Sequence, residues 1–142
     1  MAAFLDGVTR LDDETVARLR RHWDDGWNGA DVDVIMAPFA EEVVFQSPFV
    51  SKLGGDASSR GTPSTIVGRD ALRAYCAAAL ERTPGIRYTV DDQFVGTDTL
   101  VLLYTCHFPD GRPDTTGADL MRIDASGAVA EWRCHYRLAG SA

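Results

Sequence analysis

Apolar positions in the first fifth of the chain recur at helical spacing. In "TRLDDETVARLRRHWDDGW" the residues Val16, Leu19, Trp23 and Trp27 fall three and four apart. That period predicts a helix over about 11–27, with Thr9 or Asp12 as its cap and acids in its first turn. "NGA" breaks it, and Asp31 is placed to cap a short second helix that Pro38 halts. "EEVVFQSPF" then reads as a first strand at about 42–47. Residues 48–68, rich in Gly, Ser and Pro, read as one long loop, a length that usually signals mobility or function. "GRDALRAYCAAALERTPG" is the clearest helix, with Leu72, Tyr75, Cys76, Ala79 and Leu80 along one side and Pro84-Gly85 ending it. From residue 86 onward the period changes to two. Four strands follow, turning at Gly96-Thr97-Asp98, at "PDG" and at "DASG". Helices first and an antiparallel meander after is an α+β pattern.

Bulk properties narrow the class. A length of 142 residues suits a single domain over 1–142, able to bury a core without disulfides or a structural metal. The formal charge of −7, from 14 basic and 21 acidic residues, disfavours nucleic acid and anionic membranes as partners. "MAAFLDGVTRLDDE" lacks the marks of a signal peptide, and no apolar run approaches the roughly 20 residues of a membrane span. Cys76, Cys106 and Cys134 are odd in number, far apart and without zinc spacing, which favours reduced, packed thiols in a cytoplasmic protein with no metal or other cofactor. "GGDASSRG" has no strand–turn–helix context for a phosphate, and "LRRH" reads as a solvated helical face.

The order of elements, with "WNGADVD" followed by "EEVVFQSP" and "VGRDALRAY", resembles the NTF2-like superfamily, closest to its SnoaL-like and ketosteroid-isomerase-like branches. The resemblance spans nearly the whole chain. It implies a cone: a curved antiparallel sheet wrapped around the helices, with one pocket at the wide end. It also implies a homodimer formed through the convex face of the sheet. Members of that superfamily include isomerases, cyclases, epoxide hydrolases, dehydratases and binders without catalysis, so the resemblance implies a pocket better than a reaction.

Strand alternation assigns side chains to faces. In "AVAEWRCHYRL" the set Ala130, Trp132, Cys134 and Tyr136 should be inward, as pocket lining or as simple core, and Glu131, Arg133, His135 and Arg137 outward. In "TTGADLMRI" apolarity alone does not decide. The gapless match of "ADLMRIDASGAV" to the ketosteroid-isomerase branch, whose aligned acid faces the steroid, implies that Asp119 and Met121 point inward. The same alignment, counted back from "DGR", implies that Val101, Leu103, Thr105 and His107 are inside. Leu100, Leu102, Tyr104 and Cys106 would then lie on the convex face and need the cover of a dimer.

Asp119 and His107 thus emerge as the candidate catalytic pair. A carboxylate in an apolar cone is costly to ionise, and a nearby His⁺ would hold it charged and serve acid–base chemistry. Unpartnered, Asp119 could stay protonated and donate to an oxyanion. The alternatives are an edge acid paired with Arg87, Arg122 or Arg133, and an ordinary core or rim histidine. Trp27, Gln46, Ser47, Leu103, Thr105, Met121, Trp132, Cys134 and Tyr136 are the candidate substrate-binding residues. Two departures bear on activity: "VFQSP" has no carboxylate where ketosteroid isomerases carry their proton-shuttling Asp, and Trp23 stands near the position of a family Tyr. Cys106 and Cys134 stand about where limonene-type epoxide hydrolases need acids. The expectation is a cofactor-independent cyclase, isomerase or lyase acting on a small hydrophobic carbonyl compound, or else a non-catalytic binding or dimerisation module.

Overall fold

The computed structural model describes residues 7–53 and 64–137. Helix α1, Asp13–Arg21, is capped by Asp12, whose carboxylate accepts from the Thr15 amide at 2.7 Å. It runs on into a π-helical turn, His22–Trp27, that buries His22, Trp23, Gly26 and Trp27 together. The wider turn puts two adjacent pairs on one face, more than the 3.6 period allows. Asp31 caps α2, Val32–Met36, accepting from the amides of Asp33 and Val34.

Strand β1, Phe39–Gln46, begins directly after Pro38, several residues earlier than its sequence suggested. The long loop carries structure at both described ends: a helical turn α3, Val50–Leu53, and a short strand β2, Thr65–Val67. Both are too short to show a period. The middle of the loop expected over 48–68 lies outside the described residues. Helix α4 spans Arg69–Arg82, and β3 (Arg87–Val95), β4 (Thr99–His107), β5 (Thr115–Ile123) and β6 (Val129–Tyr136) complete the meander.

The six strands form one curved, open sheet in the order β2-β1-β6-β5-β4-β3. Every pairing is antiparallel except β1 with β6, which is parallel, with Phe45 opposite Trp132. The helices fill the concave side, where Trp23, Ile35, Met36, Leu72 and Cys76 meet Phe45, Leu100, Leu102, Met121 and Trp132. No helix among the described residues is long and apolar enough to cross a membrane.

The register corrects the facing of β4. Leu102 lies opposite Asp119 and Leu100 opposite Met121, so these pairs share a face. Leu100, Leu102, Tyr104 and Cys106 are buried on the concave side, whereas Leu103 is 38% exposed. His107 is five residues beyond Leu102, and an odd offset turns a side chain to the other face of a strand. Leu103, Thr105 and His107 therefore line the convex face and not the cone, and with them Val101. A bulge in β6 likewise makes Val129, not Ala130, the buried residue.

Candidate functional site

Asp119 sits near the middle of β5, between β4 and β6, and is only 2% exposed. Each of its oxygens accepts a hydrogen bond from a neighbouring strand. The Tyr104 hydroxyl donates to Oδ1 at 3.1 Å, and the Trp132 indole N–H donates to Oδ2 at 3.0 Å. The Cys134 thiol, directly opposite on β6, is also hydrogen-bonded to the carboxyl. Arg122 and Arg133 pair with Glu131 instead, and Asp119 makes no salt bridge among the described residues. Burial therefore dominates its protonation. The carboxyl is pushed up to about 6, the bonds from Trp132, Tyr104 and Cys134 opposing but not cancelling the loss of water.

A shell of phenols surrounds this group. Tyr104 and Tyr136 hydrogen-bond through their side chains, and Tyr136 also reaches Cys134. Tyr88 packs edge-on to Tyr104 at 5.4 Å and is hydrogen-bonded to Cys106. Tyr75, from α4, is hydrogen-bonded to the buried Ser47. All four phenols are held well above their usual ionisation range by burial, with Asp119 adding to the effect. They stay neutral and act as donors. Phe49, in the turn after β1, lies against the Tyr136 ring at 4.7 Å.

Gly117 makes room for this arrangement. A Cβ there would come within 2.6 Å of the Tyr104 hydroxyl and ring carbon Cζ. The glycine is thus what lets Tyr104 lie flat across β5 and reach the acid two residues on.

Beneath Trp132 lies His22, which the "LRRH" stretch had suggested was solvated; it is fully buried. Trp27 donates its indole N–H to His22 Nε2 at 3.0 Å, so the proton rests on Nδ1, which donates to the Ile35 carbonyl at 2.8 Å. Burial lowers the ring to about 3, and it stays neutral. Edge-on contacts with Trp23, Phe39 and Trp132 make it a structural ring of the core.

Of the residues expected at the site, the structure gathers Asp119, Met121, Trp132, Cys134 and Tyr136 on the concave face of the sheet, with Ser47 and Trp27 nearby on its inner side. It does not bring in His107, Leu103, Thr105 or Gln46. Gln46 is committed on the outer side, accepting from Arg133 and donating to Thr65. His107 bonds Asp114 and Thr89 and makes no contact with Asp119. Trp23 does not serve as the donor to the acid; Tyr104 and Trp132 do. The signal for Tyr104 was in the sequence, since Leu100, Leu102, Tyr104 and Cys106 are the more apolar parity of β4. No group of three or more potential metal ligands occurs among the described residues.

This architecture defines an NTF2-like α+β cone. The SnoaL-like domain family matches residues 19–132, and the chain belongs to that family. Among solved structures it is similar to a SnoaL-like protein of unknown function from Burkholderia thailandensis, with a TM-score of 0.74 and 19% identity over 91% of this chain and 99% of that one. A Kribbella flavida protein with a provisional ketosteroid isomerase name gives a TM-score of 0.66 at 18% identity, over 89% and 80%. An NTF2-like protein of unknown function from Mesorhizobium loti gives 0.65 at 22%, over 92% and 99%. No curated protein sequence matches the chain.

Proposed function

We propose that the protein is a cofactor-independent acid–base enzyme acting on a small hydrophobic carbonyl compound, by enolisation as in an isomerase, cyclase or lyase. The observation that carries this reading is Asp119: a carboxyl with no salt bridge among the described residues, held by the neutral donors Tyr104, Trp132 and Cys134 and poised near 6. At neutral pH most of it is ionised and able to take a proton from a carbon next to a carbonyl. Once protonated, it is stable enough in its apolar surroundings to return that proton elsewhere on the substrate. Tyr136, and Tyr104 once protonation of Asp119 releases its hydroxyl, would donate to the enolate oxygen, and Met121, Trp132 and Cys134 would pack on the hydrocarbon.

The reading makes a direct prediction. Incubated with fused-ring or cyclic enolisable ketones in D2O, the protein should speed deuterium uptake at the α-carbon, followed by NMR. Asp119→Asn should lose about 10²–10⁴ of that rate, the range that a positioned acid–base group supplies. His107→Ala should leave it unchanged. Equal exchange by wild type and Asp119→Asn would remove the acid–base role.

A second reading, a non-catalytic binding module, is favoured by one specific observation. The rings of Tyr88, Tyr104, Tyr136 and Phe49 pack around Asp119. Two surface clefts of about 260 and 480 Å³ among the described residues lie elsewhere, one beside Phe108 and one between α1 and β3. Under this reading ligands of the same kind raise the melting temperature with no exchange by any variant.

A further inference from the structure

Residues displaced from the cone by the facing of β4 assemble on the convex side of the sheet. His107, at the end of β4, bonds two groups at once. Its Nδ1 meets Asp114 Oδ2 at 3.0 Å, and its Nε2 meets Thr89 Oγ1 at 2.9 Å. With Asp114 accepting from Nδ1–H, Nε2 carries the lone pair and accepts from the Thr89 hydroxyl. Hydroxyl, imidazole and carboxylate thus stand in series, each within the 2.6–3.2 Å that proton transfer requires.

Three separate elements build the series: β3, β4 and the segment before β5. Arg87 lies directly opposite His107 and two residues before Thr89, so all three share the convex face. Among the described residues the Arg87 side chain makes no ion pair or hydrogen bond, and the register sets it on the same face as the hydroxyl. Phe108, next to His107 in the chain, lines the cleft of about 260 Å³ with Pro84, Pro109 and Arg112.

We propose that Thr89, His107, Asp114 and Arg87 form a second site, for acyl transfer from small activated carboxylic esters, separate from Asp119 and independent of its role. In the first step Thr89 Oγ1 attacks the ester carbonyl carbon and a new C–O bond forms. The hydroxyl proton passes to His107 Nε2, Asp114 holds the imidazolium, and Arg87 offsets the charge on the carbonyl oxygen. Collapse breaks the bond to the leaving alkoxide or phenolate, which departs with the proton from His107. Water then attacks the acyl-threonine, gives its proton to His107, and releases the carboxylic acid as Thr89 regains a hydrogen. The sum is ester plus water giving acid plus alcohol.

The chain has a single lysine, Lys52, so background acylation of amines is small and the site can be read cleanly. The test is incubation of the intact protein with p-nitrophenyl acetate, following phenolate release and locating the acetyl group by peptide mass spectrometry. Acetyl on Thr89 is expected, retained in Thr89→Ser and slowed about 10²-fold in His107→Gln. Asp114→Asn should slow it less. Melting temperatures of all variants are taken alongside, and Thr89→Ser keeps the hydroxyl if Thr89→Ala fails to fold. An unmodified Thr89 in the wild type, or ester hydrolysis by Thr89→Ala at the wild-type rate, overturns the proposal.

Discussion

At the scale of single residues, two buried titratable side chains pull the stability of this protein in opposite directions with pH. Asp119 binds its proton more tightly folded than unfolded, at about 6 against an ordinary 3.8. Its contribution therefore favours the fold below about pH 4 and is lost as pH rises through 6. His22, at about 3 against 6.5, does the reverse: its contribution is full above 6.5 and is lost as pH falls toward 3. Between pH 4 and 6 the slopes offset, and stability from these two groups is nearly level. Asp119→Asn removes one of them. Its stability should then decline as pH falls from 6 to 4, by on the order of 1 kcal/mol per pH unit. At pH 8, where the wild type must keep a buried carboxylate ionised, the variant should be more stable by about 1–3 kcal/mol, since Tyr104 can turn its hydroxyl to accept from the amide. Urea unfolding at four pH values checks both signs. Equal pH dependence in the two proteins would mean that Asp119 titrates normally.

At the scale of elements, β4 and β5 depend on Gly117. Gly117→Ala places a methyl where the Tyr104 ring lies, so the ring must leave and Asp119 loses a donor. A cost of about 1–3 kcal/mol is expected, as for other overpacked interiors. A compensating Tyr104→Phe in the same chain should not recover it, because the ring itself is the obstacle, whereas Tyr104→Ala should recover part. Thermal unfolding of the three variants distinguishes these outcomes. The same pair of strands shows how far sequence reading reached. Long periods were legible: α1, α4 and the four-strand meander follow from apolar spacing, and Asp12 and Asp31 from capping chemistry. Asp119 facing inward was legible only through the family resemblance. That same resemblance turned β4 over, placing His107 beside the acid. Hydrophobicity alone pointed the other way, since Leu100, Leu102, Tyr104 and Cys106 outweigh Val101, Leu103, Thr105 and His107. A one-residue error in counting through a seven-residue connection, 108–114, inverts a whole strand. The π-helical turn and β2 left no sequence signal, one being a local insertion in a helix and the other three residues long.

For the whole molecule, the corrected β4 changes the case for a dimer without removing it. Leu100, Leu102 and Tyr104 are core and need no partner. Phe94, 55% exposed, and Leu103 remain on the convex face, flanked in register by Val101 and Leu120. Asp91 and Asp92 mark the β3 side of that face, and Arg122 and Arg133, which share Glu131 between them, the β5–β6 side, with basic charge in excess. A two-fold axis along the strands lays acid on base and apolar on apolar, and we propose a homodimer of this kind. Sedimentation should give a dimer at micromolar concentration and a monomer for the double variant Phe94→Asp, Leu103→Asp. A wild-type monomer at high concentration would exclude it.

The parallel join between β1 and β6 carries a consequence for how the chain is made. Phe45 must wait for Trp132, eighty-seven residues later, before its strand gains a neighbour on that side. During synthesis, β1 and β2 emerge early as a two-stranded fragment with one open border. The β3–β6 meander closes by local hairpins and docks afterwards. Until β6 leaves the ribosome, the aromatic inner face of β1 is covered by helices alone, and the nascent protein is most vulnerable to aggregation in that interval.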